Sequence, residues 1–222
     1  MSDLPVLDHW VGGAAWPGTS TRTAPVYDPA RGEAQREVRL AGADDVAAAV
    51  ASATAAAPAW RDASLAKRQG VMFAFREILN ARKEELARIL TSEHGKVLAD
   101  AHGEIARGLE VVEFACAAPH LLKGEYSESV STGVDVYTLR QPLGVVGVIS
   151  PFNFPAMVPL WFVPIALAAG NAVVLKPSEK DPSAANWIAE RYAEAGLPAG
   201  VLSVVHGDKE AVDAILEHPD IA

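Results

Sequence analysis

Two stretches decide the fold: GVVGVISPFNFP at residues 144–155 and GNAVVLKPSEKD at residues 170–181. Each is a short apolar run that closes on a polar cluster. With the helical segments that follow them and a third apolar run at residues 201–205, they give the strand-helix-strand rhythm of βαβ units. The runs are almost wholly apolar, which predicts an α/β fold with a doubly wound, mostly parallel, Rossmann-like sheet covered by helices on both faces.

The preceding part of the chain is predicted to be an extended arm followed by helices. Residues 1–42 carry turn signals at 12–13, 17–18 and 31–32, so we expect short strands there. An alanine-rich helix is predicted to begin at Asp44 or Asp45 and to end at Pro58. Further helices are predicted from Ser64 to Gly95 and over residues 97–122.

Three segments are expected along the chain: an N-terminal arm and helices over 1–124, a hairpin arm over 125–141, and a βαβαβ core over 142–222. The hairpin follows from alternating residues around Gly133, in a stretch rich in Ser, Thr, Val and Tyr. A last helix is predicted at 208–217, and residues 219–222 look like the start of another strand. We therefore expect the domain to be incomplete at its C-terminus.

Composition narrows the class of partner. A formal net charge of -9 argues against nucleic acid or an anionic membrane, so we expect a small-molecule ligand. The single cysteine, Cys116, excludes an internal disulfide framework and fits a reducing compartment. No secretory signal is visible at the N-terminus, and the cytoplasm is the expected location. The apolar stretch 157–169 is too short to span a bilayer and contains prolines.

Asn153 is the first candidate for chemistry. It follows a predicted strand, and side chains at the carboxyl ends of adjacent parallel strands face one crevice. A carboxamide there can donate hydrogen bonds to an oxyanion as it forms. Alternatively, Asn153 only caps the helix that begins near Pro155. The local sequence leaves both interpretations open.

Lys176 and Glu179 follow the second strand and are candidates for binding ribose hydroxyls. The alternative is an ordinary exposed ion pair of little energetic value. No Gly-x-Gly-x-x-Gly fingerprint occurs in the sequence, so a nicotinamide cofactor would have to bind without the glycine-rich turn of the usual dinucleotide-binding motif.

These residues resemble a known family. Residues 144–181 closely resemble the aldehyde dehydrogenase superfamily. Within it, the motifs EHGK at 93–96, EIARGLEVVEFA at 104–115, KGEY at 123–126 and HGDKE at 206–210 resemble the CoA-acylating methylmalonate-semialdehyde dehydrogenases. The resemblance covers nearly the whole chain.

The resemblance implies a cofactor and its binding residues. Asn153 would match the oxyanion-hole amide. NAD would lie in a groove without the usual glycine fingerprint, and Glu179 would favour NAD over NADP because its carboxylate repels a 2′-phosphate. The matching cofactor-binding positions are Ile149, Ser150, Pro151, Phe152, Trp161, Lys176, Ser178 and Glu179.

Arg107 matches an arginine that this subgroup uses to hold the carboxylate of the semialdehyde, a task suited to a bidentate guanidinium. A surface pair with Glu104 or Glu110 is the alternative. The family attacks its substrate with a cysteine that lies beyond position 222 in the family order. Cys116 falls on the apolar face of a predicted helix, so it is expected to be a buried structural residue.

Two hypotheses follow. In the first, the chain is the N-terminal, NAD-binding part of an enzyme that oxidises methylmalonate or malonate semialdehyde with NAD and CoA to propionyl-CoA or acetyl-CoA. The chain alone would then be inactive, and the hairpin resembles an oligomerisation arm, which predicts a homo-oligomer. In the second, it is a non-catalytic nucleotide-binding or assembly module, which pairs through an open strand near Val145 or Val201.

Overall fold

The computed structural model describes residues 4–222. The strands are β1 (Val6–Leu7), β2 (His9–Val11), β3 (Ala14–Trp16), β4 (Thr23–Asp28), β5 (Glu33–Arg39), β6 (Tyr126–Ser131), β7 (Val134–Tyr137), β8 (Val145–Ile149), β9 (Ala172–Lys176) and β10 (Leu202–Val204). The helices are α1 (Ala43–Arg61), α2 (Leu65–His94), α3 (Leu98–Cys116), α4 (Ala118–Leu121), α5 (Met157–Ala168), α6 (Ser183–Glu194) and α7 (Lys209–Glu217).

The central sheet has the strand order β3-β2-β10-β9-β8. Strands β8, β9 and β10 are parallel and are joined by α5 and α6, which confirms the predicted βαβαβ core. Strands β2 and β3 extend the sheet in antiparallel fashion, with Trp10 opposite Val204. The expectation of an open strand near Val201 is therefore wrong, because the N-terminal hairpin covers that side of β10.

The other side of the sheet carries a short additional pairing. Ile221 forms a parallel bridge with Val145 of β8, and the amide of Ala222 donates to the Val145 carbonyl at 3.0 Å. The bridge places Ile221 beside β8, in the segment where a further strand is predicted to start. Apart from this one bridge, β8 is the edge strand of the described sheet, in agreement with the expectation of an open strand near Val145.

Two apolar cores lie on opposite faces of the sheet, as the doubly wound prediction requires. On one face, β-strand residues such as Val173 and Leu175 pack with α2, α3, α5 and α6. On the other, Val174 and neighbouring strand residues pack with α1 and α7. Successive side chains of a strand point to opposite faces, so a fully apolar strand such as β9 can serve both cores.

Helix α1 differs from the prediction at both ends. Pro58 lies inside the helix, which continues to Arg61. Trp60 explains the continuation, since its buried indole donates to the Leu167 carbonyl at 2.9 Å and holds the last turn against α5. Asp45 is not the N-cap. It lies in the first turn and its carboxylate accepts from the backbone of Gly42, Thr19 and Ser20.

The ends of α2 match the sequence signals. The Ser64 hydroxyl accepts from the Lys67 amide at 3.2 Å, and Gly95 ends the helix in the left-handed conformation with a φ of 85°. The third predicted helical region is divided into α3 and α4. Strands β6 and β7 form the predicted hairpin, whose side chains are all exposed.

A three-stranded sheet of order β1-β5-β4 packs beside the main body, and the predicted turn at Arg31 and Gly32 joins β4 to β5. Within residues 4–222, no helix combines the length and the apolar character needed to cross a bilayer.

Candidate functional site

The candidate site is built on the loops that follow β8 and β9. The Ser150 amide donates to the Lys176 carbonyl at 3.0 Å, so the two loops leave the sheet side by side. Residues 150–156 then lead into α5, and residues 177–182 lead into α6. The carboxyl edge of a parallel sheet is where α/β folds place their ligands.

Lys176 is a buried cation at this edge, with 5% of its surface exposed. Its ammonium group donates to the Gly207 carbonyl at 2.8 Å and lies 3.6 Å from a carboxylate oxygen of Glu179. Burial lowers the pKa of Lys176, and the nearby Glu179 carboxylate partly offsets this effect. The exposed ion pair considered from sequence is therefore wrong for Lys176. A buried ammonium with remaining donor capacity is suited to a hydroxyl-bearing ligand.

Asn153 lies in the loop before α5 with its side chain exposed, and it does not cap that helix. A carboxylate oxygen of Glu104 accepts instead from the amides of Ala156 at 2.8 Å and Met157 at 3.0 Å. The other oxygen of Glu104 pairs with Lys96, whose ammonium also donates to the Asn153 carbonyl at 3.1 Å. The Asn153 backbone is fixed by α3 and by the segment before it, which leaves the amide side chain free to act.

Aromatic contacts support the same loop. The Lys96 ammonium lies 4.9 Å from the ring centroid of Phe154, and the Lys180 ammonium lies 4.8 Å from that of Phe152. The ring of His94 stacks on Phe152 with centroids 6.4 Å apart. The Lys180–Phe152 contact links the loop after β8 to the loop after β9, and the Lys96–Phe154 contact links the loop after β8 to the segment between α2 and α3.

The second loop is held by a buried carboxylate of α2. Glu93 accepts from the Ser183 amide at 3.0 Å and from the Ser183 hydroxyl at 2.6 Å, at the first turn of α6. Arg36 approaches the same carboxylate at 3.4 Å. Burial nevertheless raises the pKa of Glu93. Both helices that follow the site loops thus have their first amides bound by a carboxylate distant in sequence, which is favourable at the positive end of a helix.

A cleft of about 510 Å³ contains both predicted substrate-facing residues. The Asn153–Arg107 cleft is lined by His94, Lys96, Ala99, Asp100, Gly103, Glu104, Arg107, Asn153 and Phe154. Arg107 is exposed on α3, and the neighbouring Glu104 is engaged with Lys96 and α5. Within residues 4–222, no ion pair involves Arg107, so the surface pair with Glu104 or Glu110 is absent.

A second cleft, of about 430 Å³, contains two of the predicted cofactor-binding residues. The Phe152–Glu179 cleft is lined by Ala24, Pro25, Tyr27, Pro29, Glu93, His94, Phe152, Glu179, Lys180 and Asp181. Asp181 is 2% exposed, and burial together with the Glu93 charge raises its pKa to about 8. Its surroundings therefore favour the protonated form of the carboxyl group.

The remaining predicted cofactor residues lie outside both linings. Ile149 and Trp161 have exposed fractions of 40% and 39%. Pro151 is also exposed, whereas Ser150 and Ser178 are buried. An exposed apolar strip beside a buried ammonium matches the mixed character of a dinucleotide.

Cys116 is 6% exposed, and burial raises the pKa of its thiol. This confirms the expectation of a structural cysteine, because a reactive thiol needs a lowered pKa and access to solvent.

The sequence reasoning missed the residues that hold the loops, namely Glu93, Lys96 and Glu104. Two of them stand in the EHGK motif and one opens the EIARGL motif, but a motif does not show which helix end a carboxylate reaches. The sequence gives one indirect sign that distant groups bind the first amides of α5 and α6. Neither Ala156 nor Pro182, which precede α5 and α6, has a side chain that can cap a helix.

Comparison with known proteins gives consistent matches. The sequence model of the aldehyde dehydrogenase family matches residues 16–222. The malonate-semialdehyde dehydrogenase of Pseudomonas aeruginosa is 52% identical over 200 residues, which are 90% of this chain and 40% of that protein. The mitochondrial methylmalonate-semialdehyde dehydrogenase [acylating] of Arabidopsis thaliana is 46% identical over 217 residues, 98% of this chain and 36% of that protein.

A solved structure agrees in fold. A Sinorhizobium meliloti protein assigned as a methylmalonate-semialdehyde dehydrogenase, in complex with NAD, superposes with a TM-score of 0.97 at 50% identity. The match covers 100% of this chain and 45% of that one. The chain thus spans less than half the length of the relatives it matches.

Proposed function

Because the chain belongs to the aldehyde dehydrogenase family, we propose that it holds NAD and one side of the substrate pocket of a malonate- or methylmalonate-semialdehyde dehydrogenase. The observation that carries this proposal is the Asn153–Arg107 cleft. A carboxamide and an unpaired guanidinium in one cleft are the two groups that a substrate with an aldehyde and a carboxylate requires.

The proposed roles follow from the chemistry of the two side chains. Arg107 binds the substrate carboxylate through two parallel hydrogen bonds, which orients the molecule. Asn153 donates to the aldehyde oxygen as negative charge develops on it. Loss of such a donor costs about 2.7–4 kcal/mol of barrier. The Lys96–Glu104 pair holds the Asn153 backbone in place for this task.

NAD is the proposed cofactor, and it supplies a hydride acceptor when bound. Lys176 and Glu179 bind the hydroxyls of the adenosine ribose, while the exposed apolar surfaces of Ile149, Phe152 and Trp161 line the groove. The solved relative from Sinorhizobium meliloti contains NAD, which supports the assignment. The Glu179 carboxylate favours NAD over NADP, since it repels a 2′-phosphate.

CoA is the proposed acyl acceptor, supported by the name of the Arabidopsis relative, which is described as acylating. The products are then propionyl-CoA or acetyl-CoA. The exposed hairpin β6–β7 is the proposed contact of a homo-oligomer. The 222-residue chain by itself is expected to bind NAD without turnover, because its one cysteine is the buried Cys116.

NAD binding to the purified chain tests the proposal directly. We expect saturable binding of NAD by calorimetry, and about tenfold weaker binding in Glu179→Gln and Lys176→Met, equivalent to about 1.4 kcal/mol. Glu217→Gln, an exposed carboxylate of α7, is the matched control. Glu179→Gln should also reduce the preference for NAD over NADP. No binding of NAD, or equal binding by all variants, would contradict the cofactor assignment.

A further inference from the structure

Arg68 of α2 is a buried arginine without a partner. Its exposed fraction is 7%, and its Nε and Nη1 atoms have no hydrogen-bond partner within residues 4–222. Burial lowers the pKa of this guanidinium, and no carboxylate counteracts the effect. Buried charged groups are normally paired and fully hydrogen-bonded, so an unpaired guanidinium requires an explanation.

The fold makes room for Arg68 at a defined place. The guanidinium lies against Gly170, just after α5, where an added β-carbon would approach Nη1 to 1.9 Å. Gly170 has a φ of 97°, a conformation that favours glycine. The absence of a side chain at Gly170, at the end of α5, thus leaves the space that the Arg68 guanidinium occupies.

Arg68 opens into a basic cleft of about 330 Å³. Arg61 and Arg140 also line this cleft, and Asp62 is the one carboxylate in the lining. Asp62 is bound by Arg61 at 2.8 Å, so it does not neutralise Arg68. Arg140 is exposed, and among the described residues its guanidinium makes one hydrogen bond, to the Lys123 carbonyl at 3.4 Å. The guanidinium of Arg140 and the Nη2 atom of Arg68 thus remain available, and Gln141 lines the same cleft.

The C-terminal end of α5 accounts for only part of this arrangement. Carbonyl groups at a helix C-terminus attract a cation, and Ala169 at the end of α5 lines the cleft. The guanidinium, however, makes no hydrogen bond to those carbonyls, several of which are taken by the Trp60 indole and the Asn171 amides. Nε and Nη1 are shielded from solvent, so Nη2 is the nitrogen of Arg68 that can donate to an acceptor in the cleft.

We propose that this basic cleft binds an oxyanion, held by Arg68 and Arg140. The exposed guanidinium of Arg140 can present paired donors that match the oxygens of a phosphate or a carboxylate, and Nη2 of Arg68 adds a further donor. The anion is supplied either by a phosphate-bearing small molecule or by a carboxylate of a second copy of this chain. The site is separate from the Asn153–Arg107 cleft and does not depend on the proposed function.

Calorimetric titration of the 222-residue chain with inorganic phosphate at low ionic strength tests the proposal. We expect one saturable site, weakened about tenfold or more in Arg68→Gln and in Arg140→Gln. Arg88→Gln is the matched control, since Arg88 is an exposed arginine of the same helix paired with Glu84. Absence of saturable binding in the wild type, or unchanged binding in both cleft variants, overturns the proposal.

Two further measurements keep the result decisive. If Arg68→Gln does not fold, Arg140→Gln decides, because an exposed side chain can be replaced without loss of the core. Sedimentation equilibrium then separates the two sources. An association that phosphate disrupts and Arg140→Gln weakens identifies a carboxylate of a second copy, whereas a monomer that binds phosphate identifies a small-molecule anion.

Discussion

Replacing Glu104 by glutamine perturbs the contact that holds the Asn153 loop. Glutamine keeps an oxygen that can accept from the amides of Ala156 and Met157, but it loses the charge that pairs with Lys96. Breaking a buried ion pair costs about 3–5 kcal/mol because the remaining charge stays buried. Lys96 keeps the Asn153 carbonyl as a partner, so we expect the lower end, about 3 kcal/mol of unfolding free energy.

Urea denaturation followed by circular dichroism measures this loss, with Glu110→Gln, an exposed carboxylate of the same helix, as control. A double-mutant cycle with Lys96→Met isolates the pair, since the double variant removes both charges together. We expect the double variant to be more stable than the sum of the single losses predicts, by at least about 1 kcal/mol. A Glu104→Gln loss below about 0.5 kcal/mol, the usual range of surface substitutions, would refute the reasoning.

Three other changes test the packing and the buried titratable groups. Gly108→Ala places a methyl group 2.5 Å from Leu160, so we expect the free energy of unfolding in urea to fall by about 1–3 kcal/mol. In the control Gly103→Ala, on the same helix, the methyl group meets nothing within 4 Å, so the free energy of unfolding should rise by up to about 1 kcal/mol. Equal effects of the two substitutions would contradict the close contact between α3 and α5. The pKa of Asp181 is raised to about 8, so this residue contributes stability that is present below pH 4 and declines as pH rises towards 8. The free energy of unfolding of Asp181→Asn, relative to the wild type, should therefore increase from pH 5 to pH 8. A constant difference between the two proteins across that window would be evidence against a protonated carboxyl. Burial lowers the pKa of His9 to about 4, so this residue contributes stability that is present above pH 6.5 and is lost as pH falls to 4, about 3 kcal/mol in total. His9→Asn should therefore reduce the loss of unfolding free energy between pH 6.5 and 4, and an unchanged pH profile would contradict this expectation.

Several strands and helix ends that are marked by neighbouring residues in the sequence were predicted correctly. The apolar runs ending at Ile149 and Lys176 gave β8 and β9, and Ser64 and Gly95 marked both ends of α2. Pro58 misled the prediction because its helix-ending tendency was outweighed by the buried Trp60 two residues later. Propensity is a weak prior where tertiary contacts are strong.

The site was predictable only in part, for a related reason. Asn153 and Arg107 were found separately, and the structure places both in one cleft. The groups that fix the loops act across 52 positions from Glu104 to Ala156 and 90 positions from Glu93 to Ser183. No periodicity or spacing reports such contacts, because they depend on how α2 and α3 pack against the sheet.

The pairing of β2 with β10 has a consequence for synthesis of the chain on the ribosome. His9 accepts from the amide of His206, 197 positions later, so the β2–β3 hairpin can join the central sheet only when nearly all of this chain has been made. At about 5–20 residues per second, the delay is about 10–40 s. During that interval, the edge of β2 that later pairs with β10 stays open, and it is a natural place for a chaperone to bind the nascent protein.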